Sequence, residues 1–302
     1  MTERGRQGTA TGPAVVRPPS SGFRFRQAVE AERPLQVAGV IHAYAAMLAE
    51  RAGFRALYVS GAGVANASFG LPDLGFTTRE QVAEDVRRIA GATKLPLLVD
   101  VDTGWDDPAE TARVMIAAGA GAIQIEDQVD LKRCGHRPGK KLVSVDEMVE
   151  RVRAAAAGRT DPGFVIMART DAVAGEGMDA ALARARRYVE AGADIIFAEA
   201  LRTREQVQAF TSALPVPVLV NLTEFGQTPY FTLDEMRAAG AGLVLYPLSA
   251  FRAMNAAALR VFQAIRRDGT QRAELDNMQT RAELYEVLRY HEFEQRADEK
   301  LK

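Results

Sequence analysis

The 302-residue chain is poor in residues that cross-link or ligate: one cysteine, three histidines and one tryptophan. A single cysteine excludes an intrachain disulfide and a multi-cysteine zinc site. It also points to a reducing compartment, the cytoplasm. No apolar run approaches the roughly 20 residues that span a membrane, so no membrane partner is expected. Neither sign of charge prevails: 38 Lys and Arg face 39 Asp and Glu, for a formal net charge of -1. That balance argues against nucleic acid as a bulk electrostatic partner. No G-x-G-x-x-G follows a strand-like run, which weakens the case for an open dinucleotide-binding sheet.

What is present is ordinary soluble composition, 47% hydrophobic and 25% charged. Residues 1–22 mix arginine, proline, glycine and serine without an apolar stretch and read as a disordered tail rather than a transit peptide. After them one phrase recurs: "RAGFRALYVSG", "AAGAGAIQIED", "EAGADIIFAEA" and "AAGAGLVLYPL". In each, a helix ends in Gly, the usual residue just past a helix, and a short apolar run follows. Such runs suit strands buried on both faces of a parallel sheet. "LPLLVDVD", "GFVIMART", "PVPVLVNL" and "LQVAGV" supply four more, with amphipathic helical patterns between them. Eight βα units in series predict an α/β fold, a (β/α)8 TIM-type barrel over residues 23–268. Residues 269–302 lie outside the eight units. They read as a C-terminal helical arm whose apolar stripe, Leu284, Val287, Leu288 and His291, needs a partner.

Barrels of this class place their active sites at the C-terminal strand ends. Those ends carry Tyr58 and Ser60, Asp100 and Asp102, Glu126 and Asp127, Arg169 and Asp171, Glu199, Asn221 and Thr223, and Tyr246. Asp100 and Asp102, two apart on a strand, point to one side. With Glu126, and Asp73 as an outer ligand, they offer hard oxygens suited to Mg²⁺, with Mn²⁺ as an alternative. Helix capping after "GWDDP" falls better to Asp106 or Asp107 than to Asp102. The cations Lys132, Arg133, His136 and Arg169, with Arg252 and Arg281, form a second group. Together with Asn221, Thr223 and the amides of "SGAG" they could hold carboxylates or phosphates, and with Mg²⁺ they point to a small polyanionic substrate. Lys140 and Lys141 read as solvated loop residues, and His42 and His291 as ordinary helix residues.

The lone thiol, Cys134, stands in "LKRCGHRPGKK" between cations, a histidine and a glycine. Cationic neighbours lower a thiol's pKa, which fits proton transfer near neutral pH better than a place in the core. The segment 129–142 is long for a βα loop, and long functional loops often act as lids.

These stretches resemble the isocitrate lyase and phosphoenolpyruvate mutase superfamily, and within it the 2-methylisocitrate lyase branch. "SGAGVANASFGLPDLGFTT", "LLVDVDTGW", "IEDQVDLKRCGHRPGKKLVS", "FVIMARTDA", "NLTEFGQTP", "YPLSAFRAMN" and "MQTRAELYE" carry the likeness from about Leu35 onward. K-[KR]-C-G-H marks the lyases, and the phosphonate mutases lack that cysteine; a phosphonate mutase or hydrolase on the same barrel is an alternative that Cys134 argues against. The resemblance implies cleavage of 2-methylisocitrate to pyruvate and succinate, a step of the methylcitrate cycle in propionate catabolism. Isocitrate and 2,3-dimethylmalate are the alternative substrates. By residue matching, Cys134 is the general acid, flanked by Lys132, Arg133 and His136, and Gly135 lets backbone approach the substrate. Asp100 and Asp102 hold Mg²⁺, with Asp73 and Glu126 supporting through water. Ser60, Gly61 and Ala62 hold the pyruvyl end, and Arg169, Glu199, Asn221, Leu222, Thr223, Arg252 and Arg281 complete the substrate site. Tyr58 is the expected base, with a metal-site carboxylate as the alternative. "TGWDDPAE" departs from the family pattern and puts Trp105 near the small substituent on the hydroxyl carbon. A homotetramer with exchanged C-terminal helices is implied as well.

Overall fold

The computed structural model describes residues 18–129 and 139–300. Residues 1–17 of the expected tail and the whole "LKRCGH" motif lie outside the described residues. Eight parallel strands close into a barrel in sequence order: β1 Leu35–Gly39, β2 Ala56–Val59, β3 Leu97–Asp100, β4 Ala122–Glu126, β5 Val165–Thr170, β6 Ile195–Ala198, β7 Val218–Asn221 and β8 Leu243–Tyr246. β8 pairs with β1, Leu35 standing opposite Leu243, so no edge is left open. The expected α/β architecture, a (β/α)8 TIM-type barrel, is the fold of the chain.

Helix α1, Ser21–Ala31, begins where Ser20 accepts the Phe23 amide. Ser21 and Gly22, expected in the tail, therefore open a helix. Its Phe25, Ala28 and Val29 join the apolar filling of the barrel interior. The helix contacts β1, β4 and β5. Gly22 permits that approach: a Cβ there would come within 2.4 Å of the Gly163 and Phe164 backbone.

The helices between strands are α2 Ala43–Arg51, α3 Gly61–Gly63, α4 Arg79–Ala90, α5 Pro108–Ala118, α6 Val145–Ala157, α7 Val173–Glu176, α8 Met178–Glu190, α9 Arg204–Ala213 and α10 Leu233–Ala238. Short polar caps start most of them: Thr78 and Gln81 form a capping box on α4, and Asp107 accepts the Ala109 and Glu110 amides on α5. Capping at α5 thus falls to Asp107, as its position in "GWDDP" predicts. His42 is not within a helix; it caps α2 through Nδ1, which accepts the Ala45 amide at 3.0 Å.

After β8 come α11 Ser249–Asp268, α12 Arg281–Leu288 and α13 Tyr290–Lys300. The expected C-terminal helical arm is broken at Arg289, whose φ is 53°. α12 packs along α2 through Arg51–Glu286 at 2.8 Å, and Gln279 just before it accepts from Tyr44 at 2.7 Å. Val287 is buried there. The larger bare apolar face lies on α11 instead, where Ala264 alone is buried and Leu259, Phe262 and Ile265 are exposed. Among the described residues no helix is long and apolar enough to cross a membrane.

Candidate active site

Strand side chains alternate, so each strand sends one set inward and one toward the helices. Low in the barrel the inward set is apolar: Leu35, Ala56, Leu98, Ala122, Val165, Ile195, Leu219 and Leu243. At the C-terminal end the same faces carry Asp100, Glu126, Arg169, Glu199 and Asn221, all buried. Leu222, one residue beyond Asn221, packs in the outer layer between strands and helices. Its side chain therefore does not line the mouth.

At the end of β3 the two aspartates converge: Asp100 closes the strand and Asp102 follows two residues later. Asp100 Oδ2 accepts the Gly61 amide at 3.1 Å, and Asp100 Oδ1 accepts the Asp102 amide at 3.2 Å. Asp102 adopts a left-handed backbone, φ 51°, which turns its carboxylate back over the mouth. A Cβ on Gly61 would stand 3.1 Å from Asp100 Oδ2 and 3.2 Å from Asp102 Oδ1, so both carboxylates border the space above one glycine. Hard oxygens around such a space fit Mg²⁺, which takes few protein ligands and keeps its waters. Asp73, half-buried in the loop before α4, and Glu126 do not complete a larger set. No group of three or more metal-capable side chains occurs among the described residues. Ser60 accepts the Gly63 amide and so fixes the turn carrying Gly61 and Ala62.

Arg169 centres the opposite side. Its Nε lies 2.9 Å from Asp171 and 3.5 Å from Glu126, and its Nη2 lies 3.0 Å from Glu199. The Phe197 ring lies beneath the guanidinium, 5.0 Å from centroid to Cζ. Burial opposes the charge, but Asp171, Glu199 and Glu126 overcome it and keep the group protonated well above its usual range. Asn221 reaches Glu199 at 3.4 Å, which ties β7 into the cluster. Thr223 is buried one turn further on. Arg252, at the start of α11, is exposed beside Glu224 and over the Phe225 ring. Arg281 stands exposed at the start of α12, outside α2, and does not join this cluster in the single chain.

Three features depart from the sequence reading or escape it. Lys140, expected in a solvated loop, is buried: its Nζ meets Asp171 Oδ1 at 2.7 Å with 7% of its side chain exposed. A bridge between Gln128 and Leu142, with the Val129 amide bonded to the Lys141 carbonyl, carries Lys140 there. Tyr58 lies inside the barrel and donates to Gln124 Oε1 at 2.9 Å. Gln124 was missed, although its two-residue spacing from Glu126 places it on the inward face. Trp105 does not stand over the mouth; its indole N–H donates to the Thr77 carbonyl at 2.9 Å and its ring packs on the outer layer.

Behind Arg169, fully buried Asp127 accepts from Thr170 Oγ1 at 2.7 Å, the Asp171 amide at 2.9 Å and Tyr188 at 2.9 Å. Burial raises its pKa despite those bonds. Burial, and then Asp127, push the Tyr188 phenol up. The network pins the tip of β5 that carries Arg169 and Asp171.

A closed barrel with paired carboxylates and a fixed guanidinium at its mouth defines a TIM-barrel enzyme for small anionic substrates. Residues 25–266 match the phosphoenolpyruvate phosphomutase family model, and the chain belongs to that family, within the isocitrate lyase and phosphoenolpyruvate mutase superfamily. It is 56% identical over 283 residues to a 2-methylisocitrate lyase of Shewanella oneidensis, covering 93% of this chain and 97% of that one. The crystal structure of 2,3-dimethylmalate lyase superposes with a TM-score of 0.85 at 33% identity, over 92% of this chain and 95% of that one. Phosphonopyruvate hydrolase, solved with oxalate and Mg²⁺, superposes with a TM-score of 0.82 at 30% identity, over 94% of this chain and 100% of that one.

Proposed function

We propose that the chain is a Mg²⁺-dependent carbon–carbon lyase. It cleaves 2-methylisocitrate to pyruvate and succinate, in the methylcitrate cycle of cytoplasmic propionate catabolism. The observation that carries this reading is the pairing at one mouth of the Asp100–Asp102 pair over Gly61 with the buried Arg169. A 2-hydroxy polycarboxylate needs both, a hard-cation site for its hydroxy-carboxylate end and a fixed cation for a distal carboxylate. High identity to a 2-methylisocitrate lyase along nearly the whole chain supports that substrate. The likeness to 2,3-dimethylmalate lyase keeps that diacid as the second reading.

In this reading Asp100 and Asp102 hold Mg²⁺, with Asp73 and Glu126 behind them. When bound, the ion supplies Lewis-acid stabilisation of charge developing on the keto acid. Ser60, Gly61 and Ala62 present the turn that receives the pyruvyl end. Arg169, braced by Glu199 and Asn221, binds a carboxylate through Nη1. Nη1 has no hydrogen bond to a described residue, whereas Nε and Nη2 are committed to Asp171. Thr223 and Arg252 border the succinyl end, and Arg281 closes the site from the arm of the assembled protein. Tyr58, as its phenolate, takes the hydroxyl proton and becomes the phenol that donates to Gln124, with an Asp100 or Asp102 carboxylate as the alternative base. The C2–C3 bond then breaks, and its electron pair remains on the carbon that becomes a succinate methylene. The Cys134 thiol gives that carbon its proton and is left as a thiolate. Lys132, Arg133 and His136 temper its pKa, and Gly135 lets the backbone approach.

We also propose a homotetramer with exchanged C-terminal helices, supported by the uncovered apolar face of α11. Replacing Cys134 by Ser tests the mechanism. Turnover is expected to fall by about 10² to 10⁴ with substrate affinity kept. Normal turnover in the variant would remove Cys134 from the reaction.

A further inference from the structure

We infer that Lys140 is a positioning residue for carboxylate recognition: by completing the shell around Asp171 it fixes the guanidinium of Arg169 and keeps Nη1 available to substrate. The inference rests on the proposed function for the carboxylate that Arg169 receives.

The Asp171 side chain is wholly buried and accepts four hydrogen bonds, two at each oxygen. Lys140 Nζ and Arg169 Nη2 reach Oδ1 at 2.7 and 3.2 Å. Arg169 Nε and Gln128 Nε2 reach Oδ2 at 2.9 and 3.3 Å. A carboxylate has about four lone-pair sites, so this one is filled. With its donors fixed from three sides, Asp171 acts as a rigid fork for the guanidinium. Removing Lys140 opens one site on Oδ1 and frees that oxygen to draw Arg169 toward itself.

Charge argues the same way. Arg169 faces the carboxylates of Asp171, Glu199 and Glu126, and one guanidinium cannot balance three. An arriving carboxylate would meet net repulsion in a low-dielectric pocket. Lys140, with 7% of its side chain exposed, supplies the second cation through its ion pair with Asp171. Its placement is built into the backbone. The Gln128–Leu142 bridge and the Val143 amide bonded to the Asp127 carbonyl at 2.9 Å hold the segment that bears it against β4. The side-chain carboxylate of the same Asp127 accepts the Asp171 amide. Both members of the ion pair are thus anchored to one strand end.

The test compares the full chain with its Lys140→Met, Lys140→Arg and Asp171→Asn variants, in Mg²⁺. Succinate binding is followed by calorimetry, and kcat and KM are measured with 2-methylisocitrate. Lys140→Met is expected to weaken succinate binding and raise KM by about tenfold or more, with kcat changed only a few-fold. Lys140→Arg, which restores the cation, is expected to bring both back to within a few-fold of the parent. Unchanged succinate binding in Lys140→Met overturns the inference, and so does an Arg variant as weak as Met. Should Lys140→Met fail to fold, Asp171→Asn decides: the same loss of succinate affinity supports the inference and unchanged affinity overturns it. A parent chain that binds succinate but cleaves nothing defeats the lyase reading alone, because the succinate titrations still judge Lys140. A parent chain that binds no succinate overturns both.

Discussion

Asp171 grips Arg169 from two residues further along the chain, with Oδ2 2.9 Å from Nε and Oδ1 3.2 Å from Nη2. This two-pronged contact uses the planar fork that only an arginine offers. A lysine at 169 would carry the charge but could not hold Asp171 and still present a second nitrogen. Arg169→Lys is expected to raise KM for the tricarboxylate by about ten- to a hundredfold, as loss of a charged hydrogen bond does. Steady-state kinetics checks this; an unchanged KM would show that Arg169 meets no carboxylate.

Gly61 sets the room for the proposed Mg²⁺ between Asp100 and Asp102. Adding a Cβ places it 3.1 Å from Asp100 and 3.2 Å from Asp102, tighter than ordinary contact. Gly61→Ala is expected to weaken Mg²⁺ binding by about tenfold with little change in melting temperature. Calorimetric titration with Mg²⁺ reads the first and thermal melting the second. Chelation of the parent should abolish turnover, and added Mg²⁺ should restore it.

Tyr58 and Gln124 face each other across the barrel interior from β2 and β4. If the Tyr58 phenolate takes the hydroxyl proton, Tyr58→Phe should lower kcat by about 10² to 10⁴ with KM little changed. A kcat within a few-fold of the parent would transfer the role to Asp100 or Asp102.

Burial holds the Asp127 carboxyl above the usual range, so the folded protein binds that proton more tightly than the unfolded chain. The stability this contributes is full below the unfolded carboxyl pKa of about 3.9. It is lost as pH rises through the raised folded value. The stability advantage of the parent over Asp127→Asn should therefore shrink as pH rises from about 4 toward neutrality. Urea unfolding at several pH values measures it, and an advantage that grows with pH would contradict the assignment.

Much of the barrel was legible because its signals are local. Ala-Gly before an apolar run marks a helix end feeding a buried strand, and period two assigns Asp100 with Asp102, and Glu126 with Gln124, to the inner face. Gln124 escaped because one amide among apolar residues in "AIQIED" does not resemble a strand end. Lys140 was misread for the opposite reason. Its neighbours are a glycine, a proline and a second lysine, a solvated-loop composition, and the bridge that buries it pairs Gln128 with Leu142 across the segment. Leu222 fell one residue out of register, and a one-residue step in a strand reverses the face. Trp105 was drawn toward the mouth by the departure of "TGWDDPAE" from the family pattern, whereas the Thr77 carbonyl claims its N–H. The break at Arg289 left no mark, since a left-handed arginine has no sequence signature comparable to glycine.

The most direct measurement is the identity of the keto acid released. The purified chain is incubated with Mg²⁺ and 2-methylisocitrate, and in parallel with isocitrate and 2,3-dimethylmalate, and the products are separated. Pyruvate with equimolar succinate from 2-methylisocitrate, at far higher kcat/KM than product from the other two, is the expected result. Absence of keto acid from all three substrates would contradict the assignment of carbon–carbon lyase chemistry to this mouth.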